Sequence, residues 1–124
     1  MWYECEITQA VIDYVKSDQE IGSAVREGNK LYSSKIPYDT VKFLEATNDA
    51  EKRYHACHCP FVRKAILDKN RIVPFQWCNC SAGFQKFSYE IIFDRELDIT
   101  LLESPLKGDL RCRFVIDLGD MELK

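Results

Sequence analysis

Two runs near the C-terminus alternate apolar and polar residues with a period of two. LDITLLE sets Leu97, Ile99 and Leu101 against Asp98 and Thr100, and RCRFVIDL sets Cys112, Phe114, Ile116 and Leu118 against Arg111, Arg113 and Asp117. That period belongs to a strand with one buried face, and the intervening LKGD supplies a glycine-containing turn, so the pair predicts an antiparallel hairpin. Upstream the period is helical. Ile7, Ala10, Val11, Tyr14 and Val15 recur at helical spacing over 6–16. Ser17 with Glu20 reads as a capping box for a second helix through Ile21, Ala24 and Val25, which Gly28-Asn29 would stop. Asp39, two residues after Pro37, predicts a third short helix through Val41, Phe43 and Leu44.

The middle of the chain is less regular. KRYHACH at 52–58 reads as extended, and Pro60 suits the first turn of a helix that FVRKAIL carries to about Asp68. IVPFQWCNC reads as loop or short strand. Ser81 then predicts a cap for a helix over 82–94, with Phe84, Phe87 and Ile91 on one stripe. Together these elements predict an α+β fold in which N-terminal helices pack on a small antiparallel sheet and the chain ends in a helix–strand–strand unit. At 124 residues a single domain over 1–124 is expected, with a helical part (1–50), a cysteine-rich part (51–82) and a helix plus hairpin (83–118).

Apolar residues make up 46% and charged residues 30% of the chain, which is the balance of a soluble globular protein. No run is long and charge-free enough for a membrane span. The opening MWYECEITQAVIDY has acids where a signal peptide needs a basic region, so a cytoplasmic location is expected. A net charge of −3 argues against a nucleic-acid partner, and no basic recognition helix marks the three short helices as a helix-turn-helix. Charge is uneven, however. Lys52, Arg53, Arg63, Lys64, Lys69 and Arg71 face only Glu51 and Asp68 within 51–71, a basic island that would attract an anionic small molecule or simply form a solvated face.

Four of the six cysteines fall in two C-x-C pairs, YHACHCPF at 54–61 and WCNCSAGF at 77–84. In a reducing compartment such cysteines are metal ligands, reactive thiols or core residues rather than a disulfide framework. As a metal site, Cys57, Cys59, Cys78 and Cys80 would surround zinc, with an iron–sulfur cluster as second choice and His55 as an alternative ligand. Tetrahedral zinc brings sulfurs within roughly 3.8 Å of each other, whereas alternate residues of a straight strand stand about 6.6 Å apart. A chelating C-x-C therefore needs a bent backbone, which Pro60 and Ser81 would provide. As thiols, Cys59 and Cys80 sit just before predicted helices, where backbone N–H groups stabilise a thiolate, and His58 adjoins Cys59. Cys112 lies on the apolar face of the last strand and reads as a small core residue that can also border a pocket. Trp77, Phe75, Phe84, Phe87 and Tyr89 crowd the second pair, as core or as the apolar wall of a small-molecule site.

From Gly83 onward, GFQKFSYEIIFDRELDITLLESPLKGDLRCRFVIDL resembles the end of the 4-vinyl-reductase-like small-molecule-binding domain and of the aminothiazoline-carboxylate hydrolase-like bacterial proteins. The carriers are Gly83 at the helix, then Gly108-Asp109, Cys112 and Phe114; C-H-C-P and C-N-C-S-A-G look similar to a cysteine-rich bacterial branch of both. The resemblance implies helices packed on an antiparallel sheet with a ligand pocket between them. Such domains are usually longer at the N-terminus, so either the fold is reduced here or residues are missing, and a homodimer is one way to supply the helices that close the pocket. The expected function is a small-molecule-binding domain with a zinc or thiolate site at the pocket mouth, lined by Arg53, Arg63, Trp77, Phe84, Phe87 and Cys112. Alternatives are a hydrolase of a small carboxylate-bearing C–N or C–S compound, using a thiolate (Cys59 or Cys80, with His58) or metal-bound water, and an interaction module with a structural zinc.

Overall fold

The computed structural model describes residues 6–68 and 73–119; Cys5, Lys69 and Arg71 lie outside them. The fold is α+β. Among the described residues five α-helices, α1 (Gln9–Lys16), α2 (Thr40–Glu45), α3 (Asp49–Ala56), α4 (Pro60–Leu67) and α5 (Asn79–Phe93), accompany four strands. The strands are β1 (Val25–Glu27), β2 (Lys30–Ser34), β3 (Asp98–Glu103) and β4 (Arg113–Asp117), in the antiparallel order β1-β2-β4-β3. Among the described residues no helix is long and apolar enough to cross a membrane.

The C-terminal hairpin forms as its alternation requires. Ile99 stands opposite Ile116 and Leu101 opposite Phe114, with a bulge between Leu101 and Glu103. On the other side of β4, Leu31 also faces Ile116, so one row of branched side chains crosses three strands. Phe114 and Ile116 are fully buried, and Leu31, Leu97, Ile116 and Leu118 form a core onto which Tyr89 and Phe93 of α5 pack.

The expected second helix is absent, and the reason is tertiary. Ser17 turns back on α1, donating to the Tyr14 carbonyl, and Glu20 leaves the local capping box for a buried position. There the Glu20 carboxylate accepts from Arg113 Nε at 2.6 Å and from Ser34 Oγ at 3.1 Å. A charged bond of this kind outweighs a cap, worth about 1 kcal/mol. Residues 25–34 become a hairpin instead. Gly28-Asn29, read as a helix stop, forms its two-residue loop, with Gly28 at φ +59° in the position where such loops ask for glycine. The part read as helical, 1–50, thus contains two strands.

Residues 52–56, read as extended, belong to α3. Asn48 accepts from the Glu51 amide at 2.9 Å, Asp49 and Glu51 lie in the positive first turn, and Asp49 pairs with Arg53 one turn on. Capping and charge order build this helix, which offers little apolar periodicity to read. Asp39 caps α2, bonding the Lys42 amide, and Pro60 opens α4, as expected. Ser81 is no cap. A 3-10 turn over Phe75–Cys78 runs directly into α5, placing Ser81 inside the first turns. The stripe of Phe84, Phe87 and Ile91 faces outward, because Ala82, Tyr89 and Phe93 form a rival stripe whose small Ala82 lets the helix approach Phe114 and Cys112.

Replacing Glu20 by Ala should cost about 1.5–3 kcal/mol of unfolding free energy in urea, the worth of a hydrogen bond to a charged group. Ser17→Ala should cost well under that. Equal losses would return Ser17 and Glu20 to one local cap.

Candidate functional site

The site begins where β2 ends. Pairing with the C-terminal segment continues past Ser34 through a bond from the Lys35 amide to the Cys112 carbonyl (3.0 Å), which fixes Lys35 beside Cys112. The Lys35 ammonium donates to Ser81 Oγ at 2.6 Å and stands 5.4 Å from the centre of the Phe84 ring. Among the described residues it pairs with no carboxylate. Burial lowers its pKa, opposed by the nearby sulfurs of Cys112, Cys80 and Cys57.

Lys35 forms one wall of a cavity of about 170 Å³ completed by Gly22, Ser34, Ile36, His58, Phe84 and Gln85. Gly22 is required at its place. Its φ is +71°, and a Cβ there would come within 2.8 Å of the Ile36 side chain. His58 Nε2 lies 2.7 Å from the Ile36 carbonyl; since a carbonyl only accepts, Nε2 carries the proton. The ring stands edge-on to Tyr38, and burial lowers its pKa, favouring the neutral form. Gln85 donates from Nε2 to Ser33 Oγ at 3.1 Å, and its side-chain oxygen takes no described donor.

The cysteines lie behind this wall. Cys57 ends α3 and is buried with Cys78, Val62 and Ile66 in one apolar cluster that half-buried Cys59, the residue before α4, also joins. Cys112 is buried in the adjoining cluster with Ala82 and Phe114. Burial pushes the Cys57 thiol to about 11 and the Cys112 thiol to about 12. It also raises Cys78, against a 3.1 Å contact with Ser104 Oγ that works the other way. Cys80 is exposed. Residues two apart on a helix point about 200° away from each other, so as α5 begins Cys78 turns inward and Cys80 outward. Three sulfurs of the two pairs share one cluster and the fourth does not. Among the described residues no group of three or more Cys, His, Asp or Glu side chains is arranged to hold a metal ion.

The other expected site residues are occupied elsewhere. His55 stands edge-on to Tyr54, and its Nδ1 is buried without a hydrogen-bond partner among the described residues. Arg53 bonds Asp49 and the Pro105 carbonyl, tying α3 to the turn before β4. Arg63 bonds the Tyr54 carbonyl, with its guanidinium over the rings of Tyr38 and Tyr54 at 4.9 and 4.5 Å. Trp77 and Phe87 are over half exposed and line no part of this cavity; Phe84 does. Lys35, Gln85 and Gly22 went unnoticed in the sequence. Serines at buried positions 33 and 34 hide the alternation of β2, and with it the strand that delivers Lys35.

Fold and site define a small α+β domain with a lysine-walled cavity backed by buried thiols. The chain belongs to a family of unknown function, DUF6144, whose model matches residues 44–122. The match includes both cysteine pairs, Cys112, His58, Phe84 and Gln85, and begins after Lys35. No curated protein and no solved structure matches the chain.

Two outcomes follow. In folded protein at neutral pH, iodoacetamide should modify Cys80 first among the described cysteines and Cys57 and Cys112 last, by peptide mass spectrometry; early modification of Cys112 would contradict its burial. Both histidines have pKa values below the ordinary 6.5, so the unfolded chain binds more protons in that range. Stability is therefore full above about pH 6.5 and is lost as pH falls below it. Urea unfolding from pH 7 to pH 5 should show this slope, and His58→Asn should flatten it.

Proposed function

We propose that this chain is a cytoplasmic small-molecule-binding domain whose ligand is a small anionic compound held at Lys35. The observation that carries the reading is the Lys35 ammonium itself. It is half-buried, has no carboxylate partner among the described residues, and forms one wall of a cavity. A half-buried ammonium gives up part of its hydration, and an incoming carboxylate or phosphate would offset that loss with a charge-assisted hydrogen bond.

Size narrows the ligand. A volume of about 170 Å³ equals the share of roughly five or six water molecules, which suits a compound of amino-acid dimensions. The free oxygen of Gln85 asks for a donor, and Ile36 and Phe84 offer apolar contact, so a compact acid bearing one N–H or O–H group fits best. The thiols behind the wall serve as neutral, polarizable packing. A zinc reading of the same cysteines would need Cys80 to turn from the outside of α5 toward the other three.

Thermal-shift and calorimetric titration with short carboxylates, small amino acids and inorganic phosphate tests this. At least one should raise the unfolding midpoint saturably, more weakly at high salt, and Lys35→Met should abolish the effect while leaving the fold intact. No binding across the panel, or equal binding by Lys35→Met, would refute the assignment. Metal analysis of protein purified without added zinc should find far less than one equivalent, and a stoichiometric metal would replace the thiol reading with a metal centre.

A further inference from the structure

Anion binding at Lys35 makes no chemical use of the thiols behind the cavity wall. Cys57 and Cys78 are buried in a single apolar cluster with Val62 and Ile66, and half-buried Cys59 packs against it. Three thiols from two stretches of chain thus meet where α4 begins and where the 3-10 turn passes into α5. Cys59 holds the N-cap position of α4 yet makes no side-chain bond to the helix, which leaves its sulfur to the cluster. Cys78 lies deeper, with its sulfur 3.1 Å from Ser104 Oγ.

We infer that Cys59 and Cys78 are a redox pair, which a hydroperoxide converts to a disulfide joining the start of α4 to the start of α5. Access and proximity select these two. Cys80 is exposed but lies outside the cluster, so an oxidant reaches it and no described thiol is placed to resolve it. Cys57 is only 4% exposed, and it is also poorly placed to pair with Cys59. Both sit on extended backbone, with ψ +133° and +116°. Alternate residues of such a segment stand about 6.6 Å apart, against the ~3.8 Å between the Cβ atoms of a disulfide. Cys112 is buried in the adjoining cluster with Ala82 and Phe114. Among the described cysteines, Cys59 alone combines access with a neighbouring thiol on another element, and Cys78 is that thiol. Burial raises the Cys78 pKa and a Cys59 thiolate raises it further, which sets the two sulfurs within electrostatic reach.

The step balances with hydrogen peroxide as oxidant. The Cys59 sulfur attacks one peroxide oxygen, the O–O bond breaks and water leaves. Cys59 becomes a sulfenic acid, oxidised by two electrons. The Cys78 sulfur then attacks Cys59, the S–S bond forms and the S–O bond breaks. The hydroxyl leaves as a second water, taking up the proton that Cys78 gives up. A small thiol reverses the bridge by exchange. In a reducing compartment such disulfides are transient and redox-sensing rather than structural.

Peptide mass spectrometry of the full chain tests the pairing. Reduced, folded protein is treated with limiting hydrogen peroxide at neutral pH, the remaining thiols are blocked with iodoacetamide, and the digest is mapped without reduction. The peptides of Cys59 and Cys78 should be joined in roughly ten times the yield of any other pair, and dithiothreitol should separate them. Cys78→Ala should halt the reaction at a Cys59 sulfenic acid that dimedone traps, and Cys59→Ala should leave Cys78 reduced. The wild-type map decides the matter if Cys78→Ala does not fold. Folded protein that yields no bridge between Cys59 and Cys78 overturns the proposal, as does a bridge formed mainly between any other two cysteines. So does the same selectivity in urea, where no fold brings the two together.

Discussion

The central ladder between β2 and β4 is the constraint on which the rest of the structure depends. It sets Leu31 against Ile116 in the core and extends through Lys35 to Cys112, so the pairing that builds the sheet also sets the wall of the cavity. Glu20 reinforces it from the side. Its backbone carbonyl accepts from the Ser34 amide, and its carboxylate holds Ser34 on one strand and Arg113 on the other. A shift of register by one residue would invert the faces of Ile116 and Phe114 and separate Lys35 from the thiols.

Elements with strong local signals were legible in the sequence. The β3–β4 hairpin, α1, α2 and the proline-led α4 appear where alternation, caps and helix period place them, and the α+β class follows from them. Tertiary competition hid the rest. The Ser17–Glu20 spacing is a good cap in isolation, yet Arg113, ninety-three residues away, draws Glu20 off. Helix α5 has two apolar stripes, and the sequence does not say that the one with Ala82 wins the sheet. Of the candidate site residues, His58 and Phe84 line the cavity and Cys112 adjoins Lys35, whereas Cys57 and Cys78 are packed in the apolar cluster behind. The charge on the cavity wall was not legible, because Lys35 lies outside the basic island and follows a strand whose last two buried positions are serines.

The cysteine pairs show how a repeated motif can hold two backbones. C-x-C at 57–59 follows an extended path after α3, whereas C-x-C at 78–80 is wound into the start of α5. Equal spacing therefore gives unequal exposure. Low dielectric acts oppositely on the two kinds of group that meet here: it keeps the thiols protonated and makes the lysine short of an anion. The resulting environment is neutral on the thiol side and carries the lysine ammonium on the other.

The β2–β4 ladder also governs how the chain reaches this state. Its partners lie about eighty residues apart, so a long loop must close before the sheet has its central pair, while α3 and α4 depend mostly on neighbours in sequence. Helices of the cysteine-rich part can assemble early, leaving the β1–β2 hairpin with an open edge until β4 arrives. Sheet closure is thus the slow and aggregation-exposed stage of folding, and a short insertion in a surface loop between the two strands would alter its rate more than the final stability.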